Sequence, residues 1–464
     1  MKAHMLQNTL ARIDSAVSGE ALERLFQLIR IPSISADPAY AAACRNAASW
    51  CATQLNEIGF EASVRDTIGH PMVVGHYKGA GEDKPHILFY GHYDVQPADP
   101  LELWETPPFE PQVAGEGDEA KILGRGSSDD KGQFMTFIEA ARALMEEEGR
   151  LPVNVTVLLE GEEESASPSL LPFLKENVEE LKADVAFVCD TSQWDANTPA
   201  IATRLRGLLY EEVFIEGPSY DLHSGHYGSA ARNPIHVLTK VLADLRDDEG
   251  RIQIPGFYDG VAELTAEEKA AWESLGFDPQ AFLAEIGLKE PGGEKAYSVL
   301  EQIWARPTAE VNGIIGGYTG DGSKTVIPAK ASAKVSFRLV GEQEPDKIRE
   351  AFRAFVAARV PGDCKVTFKS HGGEGAITQP SDSEWVSRSL TALSEEWGTE
   401  AKLIGMGGSI PIVAQFKRVL GMDTVLVGFA LDDDRIHSPN EKYNLKSFRH
   451  GIRSWARILS ALGA

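Results

Sequence analysis

Short apolar runs that lead directly into acidic or histidine residues recur along the chain. The first is the run from His86 to Gly91, which is followed by His92 and, two positions later, by Asp94. Residues i and i+2 of a strand face the same side. Both side chains are therefore expected to project from one strand end, where a carboxylate can orient an imidazole. Three further runs follow the same rule: Val153 to Leu159 before Glu163 and Glu164, Asp184 to Val188 before Asp190, and Thr424 to Leu431 before His437.

Between these runs the apolar residues recur at helical spacing. A stripe of Leu22, Leu25, Phe26 and Ile29 predicts one helix, and a second apolar stripe follows Gly132. The alternation of short strands with amphipathic helices is typical of a layered α/β domain. Ligands of open α/β sheets bind beyond the carboxyl ends of the strands, where the acids and histidines lie. The pattern returns after Pro380, with helices predicted at Glu384 to Trp397, Ile412 to Leu420 and Leu445 to Leu462.

The middle of the chain has a different order, β-α-β-β-α-β, which is that of a ferredoxin-like unit. Its long strand, Ala329 to Val340, alternates strictly between apolar and polar residues, so one face should be covered by helices and the other wet. The acidic segment from about Gly250 to Pro307 is interpreted as an insertion packed against this unit. The sequence thus predicts an outer domain made of residues 1–206 and 378–464, and an inserted domain of residues 207–377. The other predicted elements of the insert are strands Leu208 to Ile215, Val311 to Ile315 and Cys364 to Lys369, and helices Pro234 to Arg246 and Asp346 to Arg359.

Length and composition agree with a two-domain globular protein. The 464 residues exceed the size at which a single core keeps growing. The net charge of −24 disfavours nucleic acid and anionic membranes as partners, and no window is apolar enough for a membrane span. The first residues lack the apolar core of a secretory signal, which favours a cytoplasmic location. The cysteines are too sparse for a disulfide framework and are expected to be reduced and mostly buried; they are Cys44, Cys51, Cys189 and Cys364.

Two acidic clusters have both a plain and a chemical interpretation. One interpretation of the loop Gly124 to Gly132 is a solvent-exposed turn; the other is a cation site, because Asp129 and Asp130 would repel a phosphate and suit a cation. The run Glu160 to Ser165 resembles a solvated charged face, yet the strand before it would deliver these acids beside His92. One acid of such a pair can bind a metal while its neighbour takes a proton from water. Two histidines and at least three carboxylates form a ligand set that suits zinc, manganese or cobalt.

Six motifs resemble a known family, the dinuclear zinc metallopeptidases that include carboxypeptidase G, aminoacylase, acetylornithine deacetylase and succinyl-diaminopimelate desuccinylase. Within it, the sequence is most similar to the carnosinase and cytosolic nonspecific dipeptidase branch. The motifs span nearly the whole chain: Gly91 to Pro97, Gly124 to Gly132, Leu159 to Ser165, Asp221 to Gly225, Gly407 to Pro411 and His437 to Lys442.

The resemblance implies a role for each candidate residue of the outer domain. His92, Asp129 and Asp190 would bind one metal ion, and Asp129, Glu164 and His437 would bind the other. Asp129 would therefore bridge the two ions, which are expected to be Zn²⁺. Glu163 would be the general base and acid, and Asp94 the partner that orients His92. The peptide bond after the bridging Asp129 is expected to be cis.

The inserted domain would be a lid that also forms a homodimer. His223, from the neighbouring subunit, would stabilise the oxyanion, while Arg338 would bind the substrate's terminal carboxylate together with the loop of Gly408 and Ser409. The predicted function is therefore hydrolysis of the amide bond of dipeptides or similar small substrates with a free carboxylate, by a metal-activated water and Glu163. The alternatives are an N-acyl amino acid deacylase or desuccinylase on the same scaffold and a metal- or peptide-binding protein without catalysis.

Overall fold

The computed structural model describes residues 2–464. The chain forms two compact units. Unit 1 comprises the residues up to Thr203 together with Gln379–Ile404 and Gln415–Ala464, and unit 2 comprises Arg204–Thr378 and Gly405–Ala414. These limits lie close to the predicted domain boundaries except for Gly405–Ala414, which the sequence prediction placed with the outer domain.

Unit 1 is built on a mixed central sheet, in which four neighbouring strands are parallel and the flanking strands antiparallel. The carboxyl ends of the parallel strands therefore meet at one edge of the sheet, which we call the carboxyl edge. The strand order is Glu61–Arg65, Met72–Tyr77, Asn154–Glu160, His86–His92, Val185–Val188, Thr424–Leu426 and Ala200–Leu205, the parallel group being the third to the sixth.

Helices cover this sheet and bury its apolar residues. Phe89 of the sheet stacks on Phe137 with ring centroids 3.8 Å apart, and Trp455 meets both rings edge-on. Aromatic pairs of this kind add to the free energy of burial. The helices of unit 1 are Lys2–Ala16, Glu20–Ile29, Ala41–Glu57, Lys131–Glu148, Leu170–Glu176, Val178–Leu181, Glu384–Trp397 and Leu445–Leu462.

Unit 2 has the predicted β-α-β-β-α-β order. Its antiparallel sheet runs in the order Thr308–Gly316, Lys330–Leu339, Gly207–Glu216 and Lys365–Glu374, and the two helices of the motif are Pro234–Ala243 and Pro345–Ala357. The apolar positions of Lys330–Leu339 are buried as predicted, while the opposite face is only partly wet, since Ser332 is buried as well. The acidic insertion contributes helices Ala266–Glu273, Pro279–Glu285 and Val299–Trp304.

Some elements differ from the predictions. The helix Lys2–Ala16 was not predicted, because it mixes charged and apolar residues without a clear signal. The run from Thr424 is a strand only as far as Leu426, and the predicted helix Ile412 to Leu420 is a short α-helix, Pro411–Gln415, followed by a π-helix, Phe416–Leu420. The cysteines are free, and Cys364 alone of the four is partly exposed. Within residues 2–464 no helix is long and apolar enough to cross a membrane.

Candidate active site

Five side chains of unit 1 converge in two groups that share Asp129. The first group is His92, Asp129 and Asp190, and the second is Asp129, Glu164 and His437; within each group the ligand-type atoms all lie within 4.8 Å of one another. Asp129 turns one oxygen to each group, because its Oδ1 lies 3.0 Å from Nε2 of His92 and its Oδ2 lies 3.0 Å from Nε2 of His437. The two groups contain the same residues as the two ligand sets that the family resemblance implied.

The parallel strands of the sheet bring these side chains together. His92 ends its strand, Asp190 follows Val185–Val188, and Glu164 lies in a short 3₁₀ turn after Asn154–Glu160. His437 comes from the segment after Thr424–Leu426 and has a φ of 62°, a left-handed conformation that is uncommon for a residue other than glycine. Four adjacent strands thus deliver residues that are up to 345 positions apart, from His92 to His437, to one edge of the sheet.

The loop that carries Asp129 is held by Glu441. The fully buried carboxylate of Glu441 accepts hydrogen bonds from the backbone N–H groups of Gly126, Ser128 and Asp129, at 2.9 to 3.0 Å, and from Arg125 at 2.8 Å. The peptide bond between Asp129 and Asp130 is cis, as predicted. The loop closes tightly on the helix that follows, since a Cβ on Gly132 would lie 1.8 Å from the carbonyl oxygen of Ser127.

Asp94 connects His92 with the acidic pair Glu163 and Glu164. Nδ1 of His92 lies 3.1 Å from the backbone carbonyl oxygen of Asp94 and 3.3 Å from its carboxylate Oδ1, so Nδ1 can donate to Asp94 while Nε2 faces Asp129. The same carboxylate accepts the backbone N–H groups of Glu163 and Glu164, at 3.3 and 3.1 Å. Asp94 therefore fixes the imidazole and both glutamates in one arrangement.

The clustered carboxylates of the two groups favour positive charge between them. Burial and the neighbouring Asp129 raise the pKa of Asp190 to about 7, and the same two causes raise the pKa of Glu164. Burial lowers the pKa of His92, but its hydrogen bonds to Asp129 and Asp94 outweigh this effect and raise the pKa well above its usual range. Hydrogen bonds to Asp129 and Glu164 raise the pKa of His437 to about 10.

The donor set fits divalent metal ions. Neighbouring ligands lie 3.0 to 3.8 Å apart, from the His92–Asp129 pair to the His92–Asp190 pair. Two ligands of a tetrahedral zinc ion, each at about 2.0 to 2.1 Å, are separated by roughly 3.3 Å. A cation between them would supply the positive charge that protons otherwise provide on the imidazoles, because histidine binds metals in its neutral form.

Glu163 belongs to neither ligand group but lies next to both. Burial raises the pKa of its carboxyl well above the usual range, and the charges of Asp190 and Glu164 act in the same direction. A carboxyl with a raised pKa can both take up and return a proton near neutral pH. Glu163 thus has the properties of a general base and acid.

The predicted substrate residues lie in unit 2. The imidazole of His223 is exposed, and its Nδ1 accepts a hydrogen bond from the N–H of Gly225, which leaves the proton of the neutral ring on Nε2 and available to a ligand. Arg338 is part of the long strand Lys330–Leu339, and its Nη1 lies 3.4 Å from the hydroxyl of Ser409. Gly408 lies beside Ser409, and a Cβ on Gly408 would have no heavy atom within 4 Å.

Two functional contacts were not predicted from the sequence. Glu441 lies within the motif His437 to Lys442, but no neighbouring residue indicates that it binds the Asp129 loop. Gln96 donates a hydrogen bond of 2.8 Å to Oε2 of Glu164 and so orients this carboxylate. Both residues lie inside motifs that contain other site residues, and this position is the feature of the sequence that points to a role at the site.

The carboxyl edge, with its clustered imidazoles and carboxylates and a separate glutamate, defines the site of a metal-dependent hydrolase. The chain belongs to the peptidase family M20/M25/M40, whose sequence model matches residues 88–461. This result confirms the family that the motifs predicted.

The similar proteins agree with the dipeptidase branch. The chain is 31% identical to the Cys-Gly metallodipeptidase DUG1 of Saccharomyces cerevisiae, over 98% of each chain. It superposes on the M20 family metallo-carboxypeptidase Sso-CP2 of Sulfolobus solfataricus with a TM-score of 0.83 and 32% identity, covering 96% of this chain and 99% of the other. The TM-score with human carnosine dipeptidase 1 is 0.81 at 27% identity, with 99% of both chains covered.

Proposed function

We propose that the protein is a dinuclear metallodipeptidase that cleaves the amide bond of dipeptides with a free terminal carboxylate. The observation that carries this proposal is Asp129, which turns one oxygen to each of two ligand groups while Glu163 stands beside both. The names of the relatives as dipeptidases support the substrate class. They do not favour the deacylase alternative.

The site would hold two divalent ions, preferably zinc. His92, Asp129 and Asp190 would bind one ion, and Asp129, Glu164 and His437 would bind the other. When bound, they supply Lewis acidity that polarises the substrate carbonyl and acidifies water. Manganese and cobalt suit the same nitrogen and oxygen ligands.

The protein side chains carry the proton transfers. Glu163 takes a proton from water, whose oxygen attacks the carbonyl carbon of the amide. The carbon–nitrogen bond then breaks, and Glu163 returns the proton to the leaving amine. Asp94 holds Glu163 and His92 in a fixed relative position, because it accepts the backbone N–H of Glu163 and contacts the imidazole of His92.

Substrate binding is assigned to unit 2. Arg338 binds the terminal carboxylate as a bidentate fork, together with Gly408 and Ser409. His223 donates its Nε2 proton to the oxyanion, and we propose that it does so in the neighbouring subunit of a homodimer.

The edge strand Thr308–Gly316 supports a dimer through unit 2. It is the outer strand of its sheet and exposes Ile314 and Ile315, which are 55% and 63% accessible, as well as Val311. An exposed apolar edge of this kind is a template for pairing with a second chain. The cytoplasmic location remains a prediction from the sequence.

The test is an assay of the metal-free protein reloaded with zinc, manganese or cobalt. We expect turnover of a panel of dipeptides with free carboxylates, and much weaker turnover of N-acyl amino acids. Preferential hydrolysis of the N-acyl panel would establish the deacylase instead. Metal uptake and peptide binding without hydrolysis of either panel would contradict catalysis.

A further inference from the structure

Unit 2 contains a cavity of about 530 Å³ that is rich in arginine. Four arginines line it: Arg206, Arg246, Arg306 and Arg338. This accumulation of positive charge stands out in a protein with a net charge of −24. A positively charged cavity in an acidic protein attracts anions to one place on its surface.

The four arginines are not equivalent. Arg246 pairs with Glu310 and Arg306 with Glu294, so their charges are balanced within the protein. Within residues 2–464, Arg206 and Arg338 form no ion pair with a carboxylate; their hydrogen-bond partners are carbonyl oxygens and the hydroxyl of Ser409. These two guanidinium groups are therefore left to balance the charge of a ligand.

Arg206 lies one residue before the strand Gly207–Glu216, near Arg338 of the adjacent strand. Arg338 pairs with Leu208, and Arg206 lies two residues before Leu208, so the two arginines lie on the same side of the sheet when the alternation of the strand is continued to Arg206. Their mutual repulsion costs free energy: burial, and next the charge of Arg338, lower the pKa of Arg206 to about 10. Burial also lowers the pKa of Arg338. An anion bound between them would relieve this cost.

Arg206 also holds the loop that faces Arg338. Its Nε donates a hydrogen bond of 3.0 Å to the carbonyl of Gly407, and its backbone N–H donates one of 3.1 Å to the carbonyl of Gly408. The next residue is Ser409, whose hydroxyl meets Arg338. The Nη2 group of Arg206 has no hydrogen-bond partner among the described residues and can donate to a ligand.

We propose that Arg206 is a specificity residue that forms, with Arg338 and Ser409, the site for the substrate's terminal carboxylate. It adds a second positive charge to this site and fixes the loop that completes it. The enzyme would thereby select peptides with a free carboxylate over peptides whose carboxylate is amidated. This inference rests on the proposed dipeptidase function and adds Arg206 to it.

The experiment measures binding without turnover, in the Glu163→Gln background. Isothermal titration calorimetry gives the Kd of a dipeptide and of the corresponding dipeptide amide for the parent, for Arg206→Met and for Arg206→Lys. A hydrogen bond to a charged group is worth enough to predict that Arg206→Met weakens dipeptide binding about 10- to 100-fold. Binding of the amide should stay within about twofold, and Arg206→Lys should recover part of the affinity because it keeps the charge.

Arg246→Met is the matched control, since Arg246 lines the same cavity but is paired with Glu310. It should leave the Kd of both ligands unchanged. With Glu163 intact, Arg206→Met should raise KM for the dipeptide and leave kcat within about twofold. Thermal unfolding of each variant establishes that the fold is retained.

Two results would overturn the inference. Equal weakening of dipeptide and amide binding by Arg206→Met would show that Arg206 only supports the fold, and unchanged dipeptide binding would show that it takes no part in the site. If the wild-type protein hydrolysed no dipeptide and the Glu163→Gln parent bound none, the proposed function itself would be wrong, and this inference would fall with it.

Discussion

Glu163 and Glu164 are adjacent in sequence, yet the structure predicts opposite consequences for their substitution by glutamine. Glu164 belongs to the ligand group with Asp129 and His437, whereas Glu163 belongs to neither group. The backbone N–H groups of both residues bind Asp94, and glutamine preserves this contact as well as the side-chain volume. Glu163→Gln therefore removes the base and Glu164→Gln removes a ligand, while the rest of the structure changes little in either variant.

The expected magnitude for Glu163→Gln follows from the role of a general base. Such a group contributes about 10²- to 10⁴-fold to the rate, which corresponds to roughly 3 to 5 kcal/mol of transition-state stabilisation. Because all five ligands remain, the metal content should stay near that of the wild-type protein. Glu164→Gln removes one of the three ligands of its group, so one ion should be lost during dialysis and regained only at a higher metal concentration.

The assay combines steady-state kinetics on a dipeptide with elemental analysis of the same protein after dialysis against metal-free buffer. The wild-type protein and Gln96→Ala, which removes a hydrogen bond to Glu164 and retains all five ligand side chains, serve as references. Equal loss of metal in Glu163→Gln and Glu164→Gln would refute the division of roles. Retention of most activity in Glu163→Gln would refute the assignment of the base.

Three further predictions concern assembly and stability. If His223 acts across a homodimer, mixing inactive Glu163→Gln and His223→Ala chains should restore activity, since one site of each heterodimer is complete; absence of recovery after demonstrated subunit exchange would exclude action in trans. Ile315→Lys on the exposed edge strand should shift the protein towards monomer in sedimentation velocity, whereas Ile68→Lys, on an 82% exposed residue of unit 1, should not; equal behaviour of the two variants would contradict the proposed interface. Burial raises the pKa of Glu396, but hydrogen bonds from His450, Arg453 and Arg457 outweigh burial and lower it to about 2, which corresponds to about 3 kcal/mol of stability above the ordinary glutamate pKa. Because this contribution is lost as the pH falls from about 5 towards 2, urea unfolding should show that Glu396→Gln is destabilised at pH 7 and that its difference from the wild-type protein shrinks in acid; a constant difference would refute the linkage.

The sequence by itself determined the local elements and the candidate ligands. Period-two and helical patterns are properties of neighbouring residues, and they predicted the strand that ends at His92, the helix Leu445–Leu462 and the β-α-β-β-α-β order of unit 2. Acids and histidines directly after apolar strands predicted that His92, Asp190 and His437 gather with the Glu163–Glu164 pair at one edge, since parallel strands bring their carboxyl ends there. The division into two groups that share Asp129 came from the family resemblance. The roles of individual residues came from the family resemblance, and not from these patterns.

Only the tertiary structure decided which distant side chains meet. Glu441 holds the backbone of Ser128 and Asp129 across more than 300 residues of chain, and Arg206 reaches the carbonyl of Gly407 across 201 positions. The tertiary structure also decided that Gly405–Ala414 belongs to unit 2. The physical reason is that such contacts depend on the order of strands in a sheet and on the packing of loops at its edge. Neither is encoded in the spacing of neighbouring residues, which governs the repeat of a helix or strand.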